Sequence, residues 1–166
     1  MGNLIRKAAV SDCRRLSVLK REVWETTYRG IYPDEMLDRY DYLKHEEKFQ
    51  VILENPDISL FAAEDEGSLI GYMSCGSPMR SFRNYRFEIG LLYLKKEYQG
   101  HGIGKKLFET GVSELQKCGA REFFVSCNKF NLPARHFYEK IGGSLIHTDP
   151  DEEDKSVPQV KFHFSL

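Results

Sequence analysis

The segment Phe87-Glu88-Ile89-Gly90-Leu91-Leu92-Tyr93-Leu94, followed closely by Gln99-Gly100-His101-Gly102-Ile103-Gly104, decides the fold of this chain. In its first part, apolar side chains alternate with Glu88 and Gly90, a pattern typical of a half-buried β-strand. The alternation changes phase beside Gly90, and a shift of one residue beside a glycine indicates a β-bulge. We therefore predict a strand whose bulge leaves backbone N–H groups near Leu92 and Leu94 available to a ligand.

The second part of the segment is a glycine-rich turn that leads into a helix. Its three glycines occupy alternate positions from 100 to 104, and apolar residues recur at helical spacing from Ile103 to Leu115. Glycine allows a ligand to approach the backbone closely, and the unpaired N–H groups of a helix start bind anions. Lys105 and Lys106 lie in the first turn of this helix, where the helix dipole disfavours positive charge, and a bound polyphosphate would reverse that penalty. The alternative is that both lysines are ordinary helix-forming residues on a solvated face. The turn therefore predicts a phosphate site.

The spacing of the glycines excludes two common phosphate-binding motifs. A dinucleotide fingerprint would need glycine at Lys105, and a Walker A loop would need glycine at Gln99 and Ser or Thr at Lys106. The pattern that remains is Q/R-x-x-G-x-G/A, which Gln99, Gly102 and Gly104 satisfy. In this motif the sequence resembles the GNAT family of N-acetyltransferases.

A second motif downstream strengthens the resemblance. The stretch Asn131–Gly142 matches the family pattern N-x-x-A-x-x-F-Y-x-x-x-G, in which Phe137 and Tyr138 are adjacent. The family usually has an aromatic residue next, where this chain has Gly143, so a packing contact at the start of the following strand is expected to differ. The order of elements resembles the family over essentially the whole chain.

The resemblance implies a mixed α/β fold, with a GNAT-like central twisted mixed sheet of about six or seven strands flanked by about four helices. It implies a single N-acetyltransferase domain over residues 1–166, with acetyl-CoA as co-substrate and no metal. The implied reaction is direct attack of a primary amine on acetyl-CoA within a ternary complex. The alternative is an acetyl-CoA-binding sensor or a catalytically silent interaction module, which would share the cofactor turn.

The resemblance also implies roles for individual residues. Glu88 corresponds to the general base, and Tyr138 to the donor of a proton or hydrogen bond to the departing thiolate; a solvated glutamate and a packing tyrosine are the alternatives. Tyr28, Tyr32 and Asp34 correspond to a loop that borders the acceptor, unless they only form a capped helical hairpin. The implied cofactor-binding residues are Leu92, Tyr93, Leu94, Gln99, Gly100, His101, Gly102, Ile103, Gly104, Lys105 and Asn131.

The remaining elements follow from local patterns. We predict strands over 4–10, 58–63, 69–75, 121–127, 144–148 and 157–164, and helices over 12–28, 34–55 and 133–141. Ser11 or Asp12 is the expected cap of the first helix and Asp34 that of the second, in which Leu37 and Leu43 are expected to face inward. The strands before and after the helix that starts at 103 are expected to pair in parallel, because a helix connects them.

Composition argues against several other classes of protein. The length of 166 residues, with 41% hydrophobic and 30% charged residues, fits one globular domain. A formal net charge of -1 argues against nucleic-acid binding, and the lack of a long apolar run argues against membrane insertion or secretion. We therefore expect a cytoplasmic protein, as a monomer or homodimer. The resemblance to the GNAT family implies that its acceptor is a small-molecule amine or a peptide amine. The four cysteines form no C-x-x-C pair, so reduced thiols are favoured over a zinc site or disulfides.

Overall fold

The fold is built on one seven-stranded sheet within residues 2–166, the part of the chain that this computed structural model describes. The strands are β1 (Asn3–Lys7), β2 (Ile58–Asp65), β3 (Ser68–Gly76), β4 (Glu88–Leu94), β5 (Glu122–Asn128), β6 (Ser144–Thr148) and β7 (Gln159–Ser165). The α-helices are α1 (Cys13–Tyr28), α2 (Asp34–Asp38), α3 (Tyr42–Glu54), α4 (Ile103–Lys117) and α5 (Leu132–Lys140). The mixed α/β class and the strand number confirm the predicted fold class.

The sheet has the strand order β1-β2-β3-β4-β5-β7-β6. Neighbouring strands run antiparallel except β4 and β5, which are parallel and joined through α4. A helix is the usual connection between parallel neighbours, and the parallel pairing predicted from the order of elements is confirmed. As a consequence, the carboxyl ends of β4 and β5 lie at the same edge of the sheet.

Hydrophobic side chains cover both faces of the sheet. On one face, Ile89 and Val125 belong to a core shared with α4 and α5, which includes the stacked rings of Phe123 and Phe164, with centroids 5.0 Å apart. On the opposite face, the fully buried Tyr72 packs in a second core with residues of α1 and α3. Each large apolar side chain that is fully buried contributes about 1.5–3 kcal/mol. This two-sided burial fixes the face to which each β4 side chain points.

The predicted β-bulge is present at Gly90 of β4. Leu91 lies opposite Ser74 of β3, but the next pair joins Ile89 to Cys75, so Gly90 has no partner residue. The N–H group of Leu91 donates to the Ser74 hydroxyl at 3.0 Å. The bulge therefore produces the phase shift of the sequence without leaving this donor unpaired.

The single helix predicted over 34–55 is wrong, because the structure has two helices there, α2 and α3. Asp41 is the N-cap of α3, and its carboxylate accepts the Lys44 N–H at 3.0 Å. Asp34 makes no capping hydrogen bond, contrary to the prediction, and pairs with Arg29 at 3.1 Å. Leu43, predicted to face inward, is 65% exposed. An internal capping residue thus interrupts the apolar periodicity that suggested one helix, which is why there are five α-helices instead of about four.

The first strand is shorter than predicted, and Asp12 holds the turn that follows it. β1 ends at Lys7, and residues 10–12 form one turn of 3-10 helix before α1. The Asp12 side chain does not cap α1; it accepts the Ala9 N–H at 2.7 Å and two guanidinium nitrogens of Arg6 at 2.8 and 2.9 Å. The Arg6 guanidinium keeps the pKa of this carboxyl below its ordinary value.

Asp12→Asn is expected to destabilise the protein by about 1–3 kcal/mol at pH 7, because it removes a charged acceptor from a buried hydrogen-bond network. Since the pKa of Asp12 is lower in the folded state, its contribution is complete above the unfolded value of about 3.9 and is lost as the pH falls through the folded value. Denaturant unfolding should give a stability difference at pH 7 that shrinks in acid. Glu47→Gln, at an exposed position, is the control. Equal stability of Asp12→Asn and the parent protein at pH 7 would contradict this role.

No helix within residues 2–166 has the length and apolar character needed to cross a membrane. In the same residues, no group of three or more His, Cys, Asp and Glu side chains is arranged to hold a metal ion. The four cysteines are free, with Cys13 and Cys75 buried, Cys118 exposed and Cys127 partly exposed. The cytoplasmic location and the oligomeric state stay predictions.

Candidate active site

The candidate active site is a cleft that opens where β4 and β5 separate. The two strands pair only at Glu88 with Phe124 and at Ile89 with Val125. Beyond these pairs lies a cleft of about 130 Å³. Its walls are formed by Tyr28, Tyr32, Gly90, Leu92, Tyr93, Ser126, Cys127, Asn128, Asn131, Ala134, Tyr138 and Gln159.

The edge of β4 that faces the cleft carries free backbone N–H groups. Lys95 donates its N–H to Ile70 of β3 at 2.8 Å, on the opposite edge. Since successive N–H groups of a strand point to alternate edges, those of Leu94 and Leu92 point toward β5, which no longer pairs with β4 there. The Gln99 side chain donates to the Leu94 carbonyl at 3.0 Å and ties the glycine turn to this edge.

The glycine turn leaves the first amides of α4 unpaired. Gly100 and Gly102 have φ angles of +79° and +84°, which residues with a Cβ adopt only with strain. The first hydrogen bond of α4 runs from the Lys106 N–H to the Gly102 carbonyl at 3.1 Å, so the amides of residues 103–105 have no acceptor within the helix. The N-cap Gly102 has no side chain to satisfy them. Three N–H groups and the positive end of the helix dipole thus give the turn the donors that an anion such as a phosphate group requires.

The side chains of the turn contribute unequally to this site. Ile103 is buried in the core, so only its backbone is available to a ligand. His101 and Lys105 are exposed, and the only ion pair of Lys105 among the described residues is a long contact of 3.9 Å with Glu109. Lys105 is therefore free to approach an anion held by the amides.

α5 contributes Asn131 and Tyr138 to the cleft. Asn131 is the N-cap of α5 and accepts the Ala134 N–H at 3.3 Å. Phe137 packs against the start of α4, since a Cβ built on Gly104 would lie 3.6 Å from its ring. Tyr138, turned by about 100° from Phe137, is 5% exposed and lines the cleft. Within residues 2–166 its hydroxyl makes no hydrogen bond, so it is available to a ligand.

Glu88 is buried beside the cleft and is not a solvated strand residue. It is 7% exposed, and its carboxylate accepts the Met79 N–H at 2.6 Å. A Cβ built on Gly90 would lie 3.2 Å from Glu88 Oε1, so the carboxylate reaches the part of the cleft wall that Gly90 forms. Burial raises the pKa of Glu88, while the Met79 N–H and the charge of Lys161 oppose the shift. A raised pKa makes the carboxylate a stronger base, which suits proton acceptance near neutral pH.

Three tyrosines form an aromatic wall of the cleft. Tyr28 stacks on Tyr32 with ring centroids 3.9 Å apart, and its hydroxyl lies 2.9 Å from that of Tyr93. Burial raises the pKa of both Tyr28 and Tyr32, so these side chains stay neutral. Asp34 is not part of the cleft wall; its exposed carboxylate pairs with Arg29. The structure thus brings two of the three predicted acceptor-side residues to the cleft and leaves Asp34 outside it.

The sequence predictions missed the residues that β5 and β7 contribute. Ser126, Cys127 and Asn128 end β5 at the cleft, and Gln159 begins β7 there. The ends of two parallel strands are a signal that could have found the β5 residues, because ligands bind in crevices at the carboxyl ends of such strands. Met79 gave no signal, since it lies in a loop whose path depends on long-range contacts.

A larger depression lies elsewhere on the surface. It has a volume of about 360 Å³ between α1 and residues 95–97, and mostly charged side chains line it. Two of them, Glu22 and Lys95, are paired at 3.0 Å. None of the residues in the two motifs lines this depression. Volume alone therefore does not identify the site, and the smaller cleft is the one with groups suited to chemistry.

The fold is that of known acetyltransferases. The crystal structure of PaiA N-acetyltransferase from Thermoplasma acidophilum, in complex with coenzyme A, matches with a TM-score of 0.78 and 26% sequence identity, covering 100% of each chain. The strand order, the open cleft and the free helix start therefore define a protein of the acetyltransferase class.

Sequence comparisons give the family. The acetyltransferase (GNAT) family model matches residues 11–143. The chain is 31% identical over 147 residues to the uncharacterized N-acetyltransferase YuaI of Bacillus subtilis, covering 87% of this chain and 82% of YuaI. It is 31% identical over 150 residues to the spermidine N(1)-acetyltransferase of Thermoplasma acidophilum, covering 87% of this chain and 90% of the relative. The chain belongs to the GNAT family, and it is an acyltransferase with acetyl-CoA as co-substrate.

Proposed function

We propose that the protein transfers the acetyl group of acetyl-CoA directly to a primary amine while donor and acceptor are bound together, with residues 1–166 acting as one catalytic domain. The observation that carries the proposal is that the Tyr138 hydroxyl, which has no partner among the described residues, lines one cleft with Leu92, while the buried Glu88 carboxylate lies next to Gly90 of the same cleft wall. The N–H groups of Leu92 and Leu94 point from β4 toward this opening, where β5 no longer pairs with β4. An acetyl-CoA sensor, the alternative function, needs the backbone donors but neither side chain.

Backbone donors are the main groups that hold the co-substrate in this proposal. The amides of residues 103–105 hold the pyrophosphate, and the side chain of Lys105 belongs to the same turn. The amides of Leu92 and Leu94 hold the pantetheine arm and the thioester oxygen, in the manner of an oxyanion site. Asn131, which also lines the cleft, contacts the pantetheine arm as well. This arrangement leaves the thioester between β4 and α5.

Glu88 acts as the general base. An amine with a pKa near 10 is protonated at neutral pH and cannot attack a carbonyl until it loses a proton. Glu88 accepts that proton directly or through water, and the nitrogen then forms a bond to the thioester carbon. The Met79 N–H fixes the carboxylate in place for this step.

Tyr138 assists the leaving group when the carbon–sulfur bond breaks. Burial raises the pKa of its hydroxyl well above the ordinary value, so it stays protonated and is a hydrogen-bond donor. Since the pKa of a thiol is about 8.5, full proton transfer from this tyrosine is uphill, and a hydrogen bond to the departing thiolate is its main contribution.

Cys127 lines the cleft but is not suited to carry the acetyl group. Burial raises the pKa of its thiol to about 12, so the nucleophilic thiolate is scarce at neutral pH. This supports direct transfer over a covalent acetyl-enzyme.

The acceptor is a small-molecule amine or a peptide amine, and we favour a cationic small molecule. One relative at 31% identity is a spermidine N(1)-acetyltransferase. In this chain the exposed acidic run 151–154 lies close enough to the tyrosine wall for the Asp154 charge to raise the pKa of Tyr32. Asn128, a cleft residue, anchors this run by donating to the Lys155 carbonyl at 2.8 Å.

The proposal is tested by incubating the protein with acetyl-CoA and a panel of polyamines, amino acids and peptides while following free thiol. Mass spectrometry of the product should show one acetyl group on a nitrogen. Initial rates at varied concentrations of both substrates should give intersecting double-reciprocal lines, whereas parallel lines would indicate a covalent acetyl-enzyme. Tight binding of acetyl-CoA without turnover of any amine would favour the sensor.

Tyr138→Phe is expected to lower turnover by about 10-fold to 100-fold, the equivalent of one hydrogen bond to a charged group, at unchanged acetyl-CoA affinity. The change keeps the ring and removes only the hydroxyl. The loss should be smaller for acyl donors with a better leaving thiol, because they need less assistance. Tyr98→Phe, which removes a hydroxyl bonded to Asp65 outside the cleft, is the control. Turnover equal to that of the parent protein, where chemistry limits the rate, would make Tyr138 a packing residue.

A further inference from the structure

Lys161 is a half-buried cation on the face of the sheet that carries Glu88. Its neighbours Val160 and Phe162 on β7 are buried on the α4 side, so alternation places Lys161 on the opposite face. Its ammonium donates to the hydroxyl of Ser126 at 2.8 Å. Ser126 is its cross-strand partner on β5 and lines the cleft. Lys161 therefore stands directly behind the cleft wall.

Two aromatic rings hold this ammonium above β5. The Lys161 nitrogen lies 5.1 Å from the centre of the Phe82 ring and 5.5 Å from that of Phe124. Phe124 is the cross-strand partner of Glu88 on β4. The cation is thus held over the strand that separates β7 from Glu88, and the two rings shield it from water.

Lys161 and Glu88 lie on the same face of the sheet, on the two strands that flank β5, and the Phe124 ring beneath the Lys161 ammonium belongs to the residue paired with Glu88. The positive charge of Lys161 lowers the pKa of Glu88, against the larger effect of burial. Burial lowers the pKa of Lys161 in turn, and the charges of Glu88 and Asp149 oppose that shift, while Arg80 adds to it. On the same side, Tyr85 from the loop and His163 from β7 are hydrogen-bonded to each other at 2.6 Å. From β3 the neighbouring group is the neutral hydroxyl of Ser74.

We propose that Lys161 is a positioning residue that keeps the buried Glu88 carboxylate ionised, and therefore able to accept the proton of the incoming amine. This inference rests on the proposed function, in which Glu88 is the general base. Burial favours the neutral acid, which cannot accept a proton, and a fixed positive charge nearby offsets that preference. Because the cation is shielded by two rings, its charge is screened less than that of a lysine in water.

The test compares Lys161→Met and Lys161→Gln, which remove the charge, with Lys161→Arg, which keeps it. Lys20→Met is the matched control. The Lys20 nitrogen also lies over two aromatic rings, 4.9 Å from the centre of Trp24 and 5.7 Å from that of Phe49, but Lys20 does not line the cleft. The measurement is the acid limb of the pH profile of kcat/KM, with calorimetry for acetyl-CoA affinity. A carbon-13 NMR titration follows the ionisation of the Glu88 carboxyl in the absence of turnover. The signal of Glu88 is assigned as the one that is missing in Glu88→Gln.

The two neutral variants are expected to move the acid limb and the NMR midpoint to higher pH by about one unit. At pH values above the shifted midpoint they should regain most of the rate of the parent protein. Lys161→Arg and Lys20→Met should keep the midpoint of the parent protein, and acetyl-CoA affinity should not change. A loss of rate that is equal at every pH, with an unmoved NMR midpoint, would overturn the proposal and leave Lys161 a structural residue. If Glu88→Gln itself keeps the acid limb, the base assignment fails and this inference fails with it, which separates the two cases.

Discussion

Glu88→Gln is expected to lower the turnover number by about 100-fold to 10,000-fold and to leave acetyl-CoA affinity nearly unchanged. The amide has the size of the carboxylate, and its oxygen can still accept the Met79 N–H that holds the side chain. It cannot take a proton from the amine. The acid limb of the pH–rate profile, which reports the ionisation of the base, should therefore disappear in the variant.

Initial rates over a range of pH and calorimetry with CoA measure the two parts of this expectation. Glu139→Gln, at an exposed position of α5, is the matched control and should behave as the parent protein. An unchanged pH–rate profile in Glu88→Gln would rule out the base role. Weakened CoA binding with normal turnover at saturation would instead show that Glu88 supports the cofactor side.

The backbone geometry of the candidate cofactor side could be predicted from the sequence because it depends on local signals. The bulge at Gly90, the positive φ angle at Gly102 and the N-cap at Asn131 each follow from residue types within a few positions. The hairpin of β2 and β3 has the same origin, since the turn at 66–67 takes two positive φ angles beside regular strand patterns. Short-range chemistry of this kind does not depend on how the rest of the chain packs.

The acceptor side could not be predicted to the same extent, because its key contacts join distant parts of the chain. The burial of Glu88 depends on the loop that brings the Met79 N–H to its carboxylate. The position of Lys161 depends on the insertion of β7 between β5 and β6, which the sequence pattern of a terminal hairpin does not reveal. The resemblance alone implies that Asp34 lies on this side, and its pairing with Arg29 holds it outside the cleft wall.

The departure from the family motif at Gly143 has a local explanation in the core. A Cβ at this position would lie 2.8 Å from the Phe164 ring and 2.8 Å from the Tyr138 carbonyl, so no side chain fits. Phe164 of β7 occupies this space at the start of β6. The aromatic ring is thus supplied by another strand, and the helix that carries Tyr138 keeps a packed support.

Gly102→Asp is expected to abolish detectable CoA binding, a loss of more than about 100-fold or about 2.8 kcal/mol. Gly102 precedes the free amides of residues 103–105, with φ at +84°, and apart from the adjoining backbone no atom of residues 2–166 lies within 4 Å of an added Cβ. An aspartate there would place a negative charge beside the phosphates and would compete with them for the amide donors. Because aspartate tolerates the left-handed conformation better than most residues, the variant should remain folded.

Two further variants separate charge from backbone strain in this prediction. Gly102→Asn has nearly the same shape without the charge and should lose less affinity than Gly102→Asp. Gly119→Asp introduces the same residue at φ +83°, at the end of α4 away from the turn, and should bind CoA as the parent protein does. Calorimetry with CoA measures all three, and circular dichroism checks that each is folded. Unchanged CoA affinity in a folded Gly102→Asp protein would mean that the pyrophosphate does not bind at this turn.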